Sequence, residues 1–383
     1  MQKTYKIALL VPSLNGGGAE KVIVNLANFL NAEGHNVCII TTRQGVYFDF
    51  INPQVEIEFL PKFTFTLLAI NILKPIPQLV YLIKFLRKKQ PDIMLCTLQS
   101  ANILGPCARF VARVKTKVII RESNTFHSFL THKLSIKQRL LLYGMKLSYG
   151  LADSVIANSP YTARDVHNFL NVSEEKIQTI SNPVYSPESE QLSFERTNHK
   201  WVESGEDYIV SVGRLHPQKS FETLIEALAL LQSKHSIKLI ILGIGGEEKN
   251  LKKLALELGI SDKVDFVGFR NNPCPFIRNA KVFVLSSIWE GFGNVLVEAL
   301  SVGTPIVSTD CPGGPRIILK DGKYGTLVKI KDPEAMSKAI AELLINENLY
   351  HKTMLISRAQ EFSIEKIGKE YFDHFLKVLS QEQ

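Results

Sequence analysis

The chain has 383 residues, of which 45% are hydrophobic and 21% charged, a composition that excludes a disordered, collagen-like or disulfide-scaffold protein and suits two domains. The net charge of +8 is one-sided: residues 1–185 carry 21 Lys+Arg against 11 Asp+Glu, and residues 186–383 carry 24 against 26. Between Phe59 and Leu147, 15 basic residues face only Asp92 and Glu122, which points to a polyanionic partner such as a membrane surface, a lipid diphosphate or nucleic acid.

In chain order, Lys3 and Lys6 precede an apolar run that lasts only from Ile7 to Pro12. A secretory h-region needs about 7 to 15 apolar residues, so the run reads as a buried first strand, residues 5–13. A glycine-led helix (16–35) and a second strand (37–42) follow, and later apolar runs at 92–98, 117–122 and 154–159 read as further strands. Continuous apolar strands alternating with helices specify a parallel sheet covered on both faces. Nothing approaches the roughly 20 apolar residues of a membrane-spanning helix. Residues 64–92 mix large apolar side chains with Lys74, Lys84, Arg87, Lys88 and Lys89. Its cations could hold the chain to an anionic leaflet; the other reading, favoured for Leu79–Phe85, is an amphipathic helix packed on the sheet with a solvated basic face, and Pro75 and Pro77 break any single long helix.

The polar stretch after residues 181–189 lacks periodicity and reads as a linker. The alternation then restarts. Strands are expected at 208–215, 237–245, 263–269, 281–287, 304–310 and 325–330, and helices at 221–234, 249–260 and 294–303. The tail from Pro333 to about Ser380 has helical periodicity. The expected architecture is α/β, two Rossmann-like doubly wound domains, residues 1–185 and 186–363, facing a cleft that holds the site. Cys38, Cys96, Cys107, Cys274 and Cys311 form no CxxC pair and no zinc-type spacing, as in a protein of a reducing compartment.

Three segments carry chemistry. Gly16-Gly17-Gly18-Ala19-Glu20 lies between the first strand and first helix, where backbone N–H groups attract phosphate. Gly213-Arg214-Leu215, followed by Lys219, places two cations where a strand of the second domain runs into a loop, suited to neutralising a diphosphate. Glu290-Gly291-Phe292-Gly293-Asn294-Val295-Leu296-Val297-Glu298 has glycines that put Glu290 on a loop and Glu298 one turn inside a helix. Two acidic acceptors flanking a helix start can grip sugar hydroxyls while the helix start holds phosphate.

The constellation GGGAEKV, SVGRLHPQKS, WEGFGNVLVEALSVGTPIV and STDCPGGPR, in that order, resembles the retaining glycosyltransferases of family 4, of GT-B fold. Within it, GFRNNP (268–273) and RESN (121–124) resemble PglJ-like enzymes that extend undecaprenyl-diphosphate-linked oligosaccharides. The resemblance implies that Arg214 and Lys219 bind the donor diphosphate, Glu298 the nucleotide ribose and Glu290 the donor-sugar hydroxyls. It assigns the backbone of Gly291, Phe292, Gly293, Asn294, Val295 and Leu296 to sugar and phosphate, and Gly17 and Gly18 to the diphosphate. Glu290, Arg214 and Lys219 would carry catalysis. A helix at about 364–383 would pack back on the first domain.

Where many relatives carry a histidine, this chain reads Arg121-Glu122-Ser123-Asn124, and its nearest histidine is His127; Arg121, Glu122 and His127 are candidate sugar or acceptor contacts. After GGPR the chain has Ile317 where relatives often carry Glu. The resemblance further implies a nucleotide-sugar co-substrate, by family frequency a UDP-sugar, and a lipid-linked saccharide acceptor. With no Asp-x-Asp motif, no metal and no other cofactor is expected. The place expected is the cytoplasm, peripheral at the inner face of a bacterial membrane. The rival readings are a GT-B sugar-nucleotide epimerase and a non-catalytic partner subunit. A nucleic-acid module is disfavoured, since the basic region lacks an aromatic-and-glycine recognition motif and the second half is net acidic.

Overall fold

The computed structural model describes residues 3–61, 76–126, 135–232, 235–346 and 349–381. The chain divides into two compact units, residues 1–183 with 364–383, and residues 184–363.

The first unit is a seven-stranded parallel sheet. Its strands are β1 (Lys6–Leu10), β2 (Asn36–Thr41), β3 (Glu56–Phe59), β4 (Ile93–Thr97), β5 (Lys117–Glu122), β6 (Ser154–Ala157) and β7 (Ile177–Thr179), in the order β3-β2-β1-β4-β5-β6-β7. Alternate residues of β1 serve opposite layers, as the period of two requires. Ile7 and Leu9 pack with Ile23, Leu26 and Leu30 of the helix Gly18–Ala32 and with Tyr371 and Phe375 of the C-terminal helix Ile364–Ser380. Ala8 and Leu10 pack with Leu82 and Leu86 of Ile76–Lys89 and with Ala101 and Ala108 of Gln99–Ala112. Full burial of a Leu or Ile side chain is worth about 1.5–3 kcal/mol, so a polar substitution on β1 is costly on either face.

The second unit repeats the scheme with six parallel strands: β8 (Tyr208–Val212), β9 (Lys238–Leu242), β10 (Val264–Gly268), β11 (Val282–Leu285), β12 (Ile306–Thr309) and β13 (Thr326–Val328), in the order β10-β9-β8-β11-β12-β13. Strand order reverses between β8 and β11, and between β1 and β4 in the first unit. At such switch points the loops leaving two adjacent strands diverge and open a crevice at their carboxyl ends.

Three sequence expectations are corrected. Strands β3 and β7 were not anticipated, since both are short and lie at sheet edges with polar residues in alternation. The division falls at Pro183/Val184, two residues before the expected boundary. The expected linker is folded into the second unit: it forms short helices at Glu188–Leu192 and Lys200–Glu203, buries Trp201 in the core and sets Phe194 under the Arg278 guanidinium at 3.8 Å. Its polar composition reflects a surface course anchored by the buried Trp201.

Candidate active site

The strongest cluster lies at the switch point of the second unit, where the loops leaving β8 and β11 meet. The β8 loop closes in a single 3-10 turn, Pro217–Lys219, capped by the His216 ring, whose Nδ1 accepts from Gln218 N. Four bonds bind this turn to the segment after β11. Ile288 N donates to Gln218 O at 2.8 Å, Gln218 Nε2 to Trp289 O at 2.8 Å, Ser286 Oγ to Lys219 O at 2.7 Å, and Lys219 Nζ to Glu290 Oε1 at 2.5 Å. The Lys219 and Glu290 side chains are only 15% and 8% exposed. Water is therefore nearly absent around the pair, and each ion depends on the other for compensation.

A second donor reaches the same oxygen: Ser287 Oγ lies 2.6 Å from Glu290 Oε1. Among the described residues, no donor reaches Oε2. Ser287 is itself fully buried, and its carbonyl accepts from Thr309 Oγ1 of β12 at 2.6 Å. Arg214, in the same β8 loop, is exposed, and among the described residues no carboxylate pairs with it. A compensated, dry ion pair thus stands beside an open cation, an arrangement suited to receiving a polyanion that carries hydroxyl groups.

The loops approach one another through glycine. Gly243, just past β9, has φ +145°, and a Cβ there would lie 1.9 Å from the Gly213 carbonyl oxygen. Gly313, in the loop after β12, has φ +126°, and its Cβ would lie 1.9 Å from the Glu290 carbonyl oxygen. The same loop accepts Glu290 N through Pro312 O at 2.9 Å. Beyond Glu290, Gly293 (φ +95°) caps the helix Asn294–Ser301. Glu298 sits in its second turn, one turn inside the helix, and is partly exposed. Gly291, Phe292, Gly293 and Leu296 are buried, Asn294 and Val295 partly so. The Phe292 ring meets Phe362 edge-on at 5.6 Å in the core, so only the backbone of Phe292 is available to a ligand.

In the first unit, Gly17 caps the helix Gly18–Ala32 without a side-chain bond, at the end of the loop that follows strand β1. Arg121 and Glu122 are corrected. Arg121 is fully buried, with Nε donating to Tyr371 Oη at 2.9 Å, one terminal nitrogen to Thr97 Oγ1 at 3.2 Å and the other to Asn182 Oδ1 at 2.5 Å. It ties β5 to the C-terminal helix and to the chain just before the unit boundary, and offers nothing to a sugar. Glu122 is also buried. One oxygen accepts from Ser123 N and Asn124 N at 2.9 Å, the other from Tyr149 Oη at 2.5 Å. Burial pushes its carboxyl above the usual range, against the pull of those hydrogen bonds. His127 lies outside the described residues.

The residues that sequence reasoning did not single out are Gln218, Ser286, Ser287, Gly243 and Gly313; Gln218 and Gly313 lie inside SVGRLHPQKS and STDCPGGPR, and Gly243 opens GIGG at a strand exit.

Comparison with known proteins gives this geometry a family. Residues 194–361 match the glycosyl transferases group 1, and residues 16–185 match glycosyltransferase family 4. The chain is 30% identical over 371 residues to LpsE of Rhizobium meliloti, a lipopolysaccharide core biosynthesis glycosyltransferase, covering 96% of each protein. It is 28% identical over 377 residues to the N-acetylgalactosamine-N,N'-diacetylbacillosaminyl-diphospho-undecaprenol 4-alpha-N-acetylgalactosaminyltransferase of Campylobacter jejuni, covering 97% of this chain and 99% of that one. HepE of Anabaena, solved in complex with UDP-glucose, shares the fold with a TM-score of 0.79 at 20% identity, over 97% of this chain and 100% of that one. With both family descriptions matched in order and relatives aligned along nearly its whole length, the chain belongs to the family 4 glycosyltransferases and is an enzyme of GT-B fold.

Proposed function

We propose that the chain transfers a hexose or N-acetylhexosamine from a UDP-sugar to a lipid-linked saccharide, with retention at the anomeric carbon, in the building of a bacterial surface or glycoprotein glycan. The observation that carries this reading is the Lys219–Glu290 pair at the β8/β11 switch point, with Arg214 exposed beside it. The relatives add direction: the Campylobacter jejuni enzyme is named for a diphospho-undecaprenol acceptor, and HepE was captured with UDP-glucose.

In this mechanism Arg214 and Lys219 hold the diphosphate and stabilise the charge that develops as it departs, the electrostatic contribution that usually dominates. Glu290 accepts hydrogen bonds from hydroxyls of the donor sugar, and Glu298 from the ribose. The bond from the anomeric carbon to the diphosphate oxygen breaks through an oxocarbenium-like state. The acceptor hydroxyl bonds to that carbon on the same face and passes its proton to the departing phosphate oxygen. No residue acts as a covalent nucleophile.

Thermal unfolding with UDP, GDP or ADP in the presence of EDTA tests the donor class. A ligand at about 100 times its dissociation constant adds roughly 2.7 kcal/mol to the folded state, so UDP alone is expected to raise the melting temperature. Arg214→Ala is expected to abolish the shift and Glu298→Ala to reduce it. Absence of a shift with all three nucleotides overturns the reading.

We further propose that the enzyme works at the inner face of the membrane, where a lipid-linked acceptor would lie, and we assign the contact to the basic face of the first unit. Among the described residues no helix is long and apolar enough to cross a bilayer. The helix Ile76–Lys89 turns Leu82, Phe85 and Leu86 inward and leaves Ile76, Val80, Lys84, Arg87 and Lys88 exposed; Lys89 is engaged by Glu56 at 2.5 Å. Lys74 and Pro75 lie outside the described residues. At about 1 kcal/mol for each cation near an anionic leaflet, reversing Lys84, Arg87 and Lys88 to Glu is expected to weaken sedimentation with phosphatidylglycerol vesicles at least tenfold. Unchanged sedimentation removes this face from the proposal.

A further inference from the structure

We infer that Ser287 is the positioning residue of Glu290, holding its carboxylate in place once the donor has drawn Lys219 away. The inference rests on the reading of Glu290 as the contact of the donor sugar, and goes beyond it by naming what orients that contact in the loaded enzyme.

Glu290 Oε1 is held twice, by Lys219 Nζ at 2.5 Å and by Ser287 Oγ at 2.6 Å. These donors differ in what a nucleotide diphosphate does to them. Lys219 is a flexible cation, and a diphosphate with its greater negative charge competes with one carboxylate for the ammonium. Ser287 carries no charge, is wholly buried and has nothing to offer a ligand. Its place is fixed from both sides: Thr309 Oγ1 donates to its carbonyl at 2.6 Å, and the preceding Ser286 Oγ donates to Lys219 O at 2.7 Å.

When Lys219 turns to the diphosphate, Ser287 Oγ becomes the only protein donor on that oxygen among those described. A buried carboxylate that loses a cation and keeps no donor swings to find another or takes up a proton. Either outcome spoils a hydrogen bond to a sugar hydroxyl. With Ser287 in place, Oε1 stays anchored and Oε2, which no described residue reaches, is presented to the sugar. The contribution of Ser287 therefore appears after donor binding, in the step where the sugar departs.

The test is the steady-state and binding behaviour of Ser287→Ala, read as a split between kcat and KM. The hydroxyl's loss is expected to lower kcat about tenfold to thirtyfold, as for one hydrogen bond to a charged group, with the KM for the donor and the Kd for UDP within about twofold of wild type. Ser287→Thr, which keeps the hydroxyl, is expected to recover most of kcat. In a double-mutant cycle with Glu290→Gln, the penalty of Ser287→Ala is expected to shrink to less than about threefold, because no charge is left to hold. A merely structural serine would give additive losses in the cycle.

Wild-type kcat in Ser287→Ala overturns the inference, as do additive losses in the cycle or a parallel loss of UDP affinity. These results leave the site reading intact so long as Glu290→Gln is impaired. Normal turnover in Glu290→Gln removes the site reading and the inference together.

Discussion

Glu290→Gln is expected to lower the single-turnover rate of sugar transfer by about a hundredfold or more, equivalent to ~2.7 kcal/mol of transition-state stabilisation, while UDP binds as tightly as to wild type or more so. The two halves of this result have separate causes. The amide keeps the shape of the side chain and still accepts from Ser287, so the loop need not move. What disappears is the negative charge facing the donor sugar, whose hydroxyl hydrogen bonds to an ionised acceptor are worth about 1.5–3 kcal/mol each. Those bonds strengthen as positive charge grows on the sugar ring, so the loss falls on the rate. Lys219 meanwhile loses its internal partner in a site where its side chain is 15% exposed. An ammonium so deeply buried and deprived of its carboxylate binds a diphosphate without first being taken from a partner, so affinity is held or gained. Calorimetric titration of UDP alongside rapid-quench transfer separates the two. A normal rate dismisses Glu290 from the site, and a tenfold loss of UDP affinity moves it from the sugar to the diphosphate.

The position of the two cations and the first glutamate at strand exits was legible in the sequence. Arg214 and Lys219 follow an apolar run, YIVSV, that can only be a buried strand, and Glu290 follows another, VFVL. In an open parallel sheet the carboxyl end of such a strand is where ligands bind, so the motif and the fold pointed to one place. Ser287 could not be found this way. A serine three residues before a glutamate is common in any loop, and its role rests on a carboxylate that turns back upon it.

Arg121 shows the opposite failure. KVIIRE reads as a buried strand, and the resemblance made its arginine a candidate sugar or acceptor contact. Its partners Asn182 and Tyr371 lie 61 and 250 residues away, and no local pattern announces them. The polar run after residue 185 misled for the same reason, because Trp201 and Phe194 find their partners far along the chain. Local periodicity reveals which face of an element is buried. It is silent on which distant polar group will be buried with it.

The loops that carry the site are held together by backbone contact, and this gives the prediction most destructive to the enzyme. At Gly313 a Cβ would lie 1.9 Å from the Glu290 carbonyl oxygen and 2.7 Å from its carbonyl carbon, with φ at +126°. The obstacle is backbone, so no rotamer change relieves it. Either the loop after β12 lifts or the Glu290 segment shifts, and both movements break the bond from Glu290 N to Pro312 O. Gly313→Ala thus combines a strained conformation with overpacking, each worth about 1–3 kcal/mol. In a unit of this size the melting temperature is expected to fall by roughly 5–15 °C. Displacing Glu290 by even an ångström costs transfer on the order of a hundredfold, so activity is expected to collapse at temperatures where the variant is still folded. Gly246→Ala is the control: it sits in the neighbouring β9 loop, where an added Cβ meets nothing within 4 Å, and is expected to melt like wild type. A Gly313→Ala enzyme that melts and turns over like wild type would mean that the β12 loop does not seat Glu290, and that the site is shaped by the β8 turn alone.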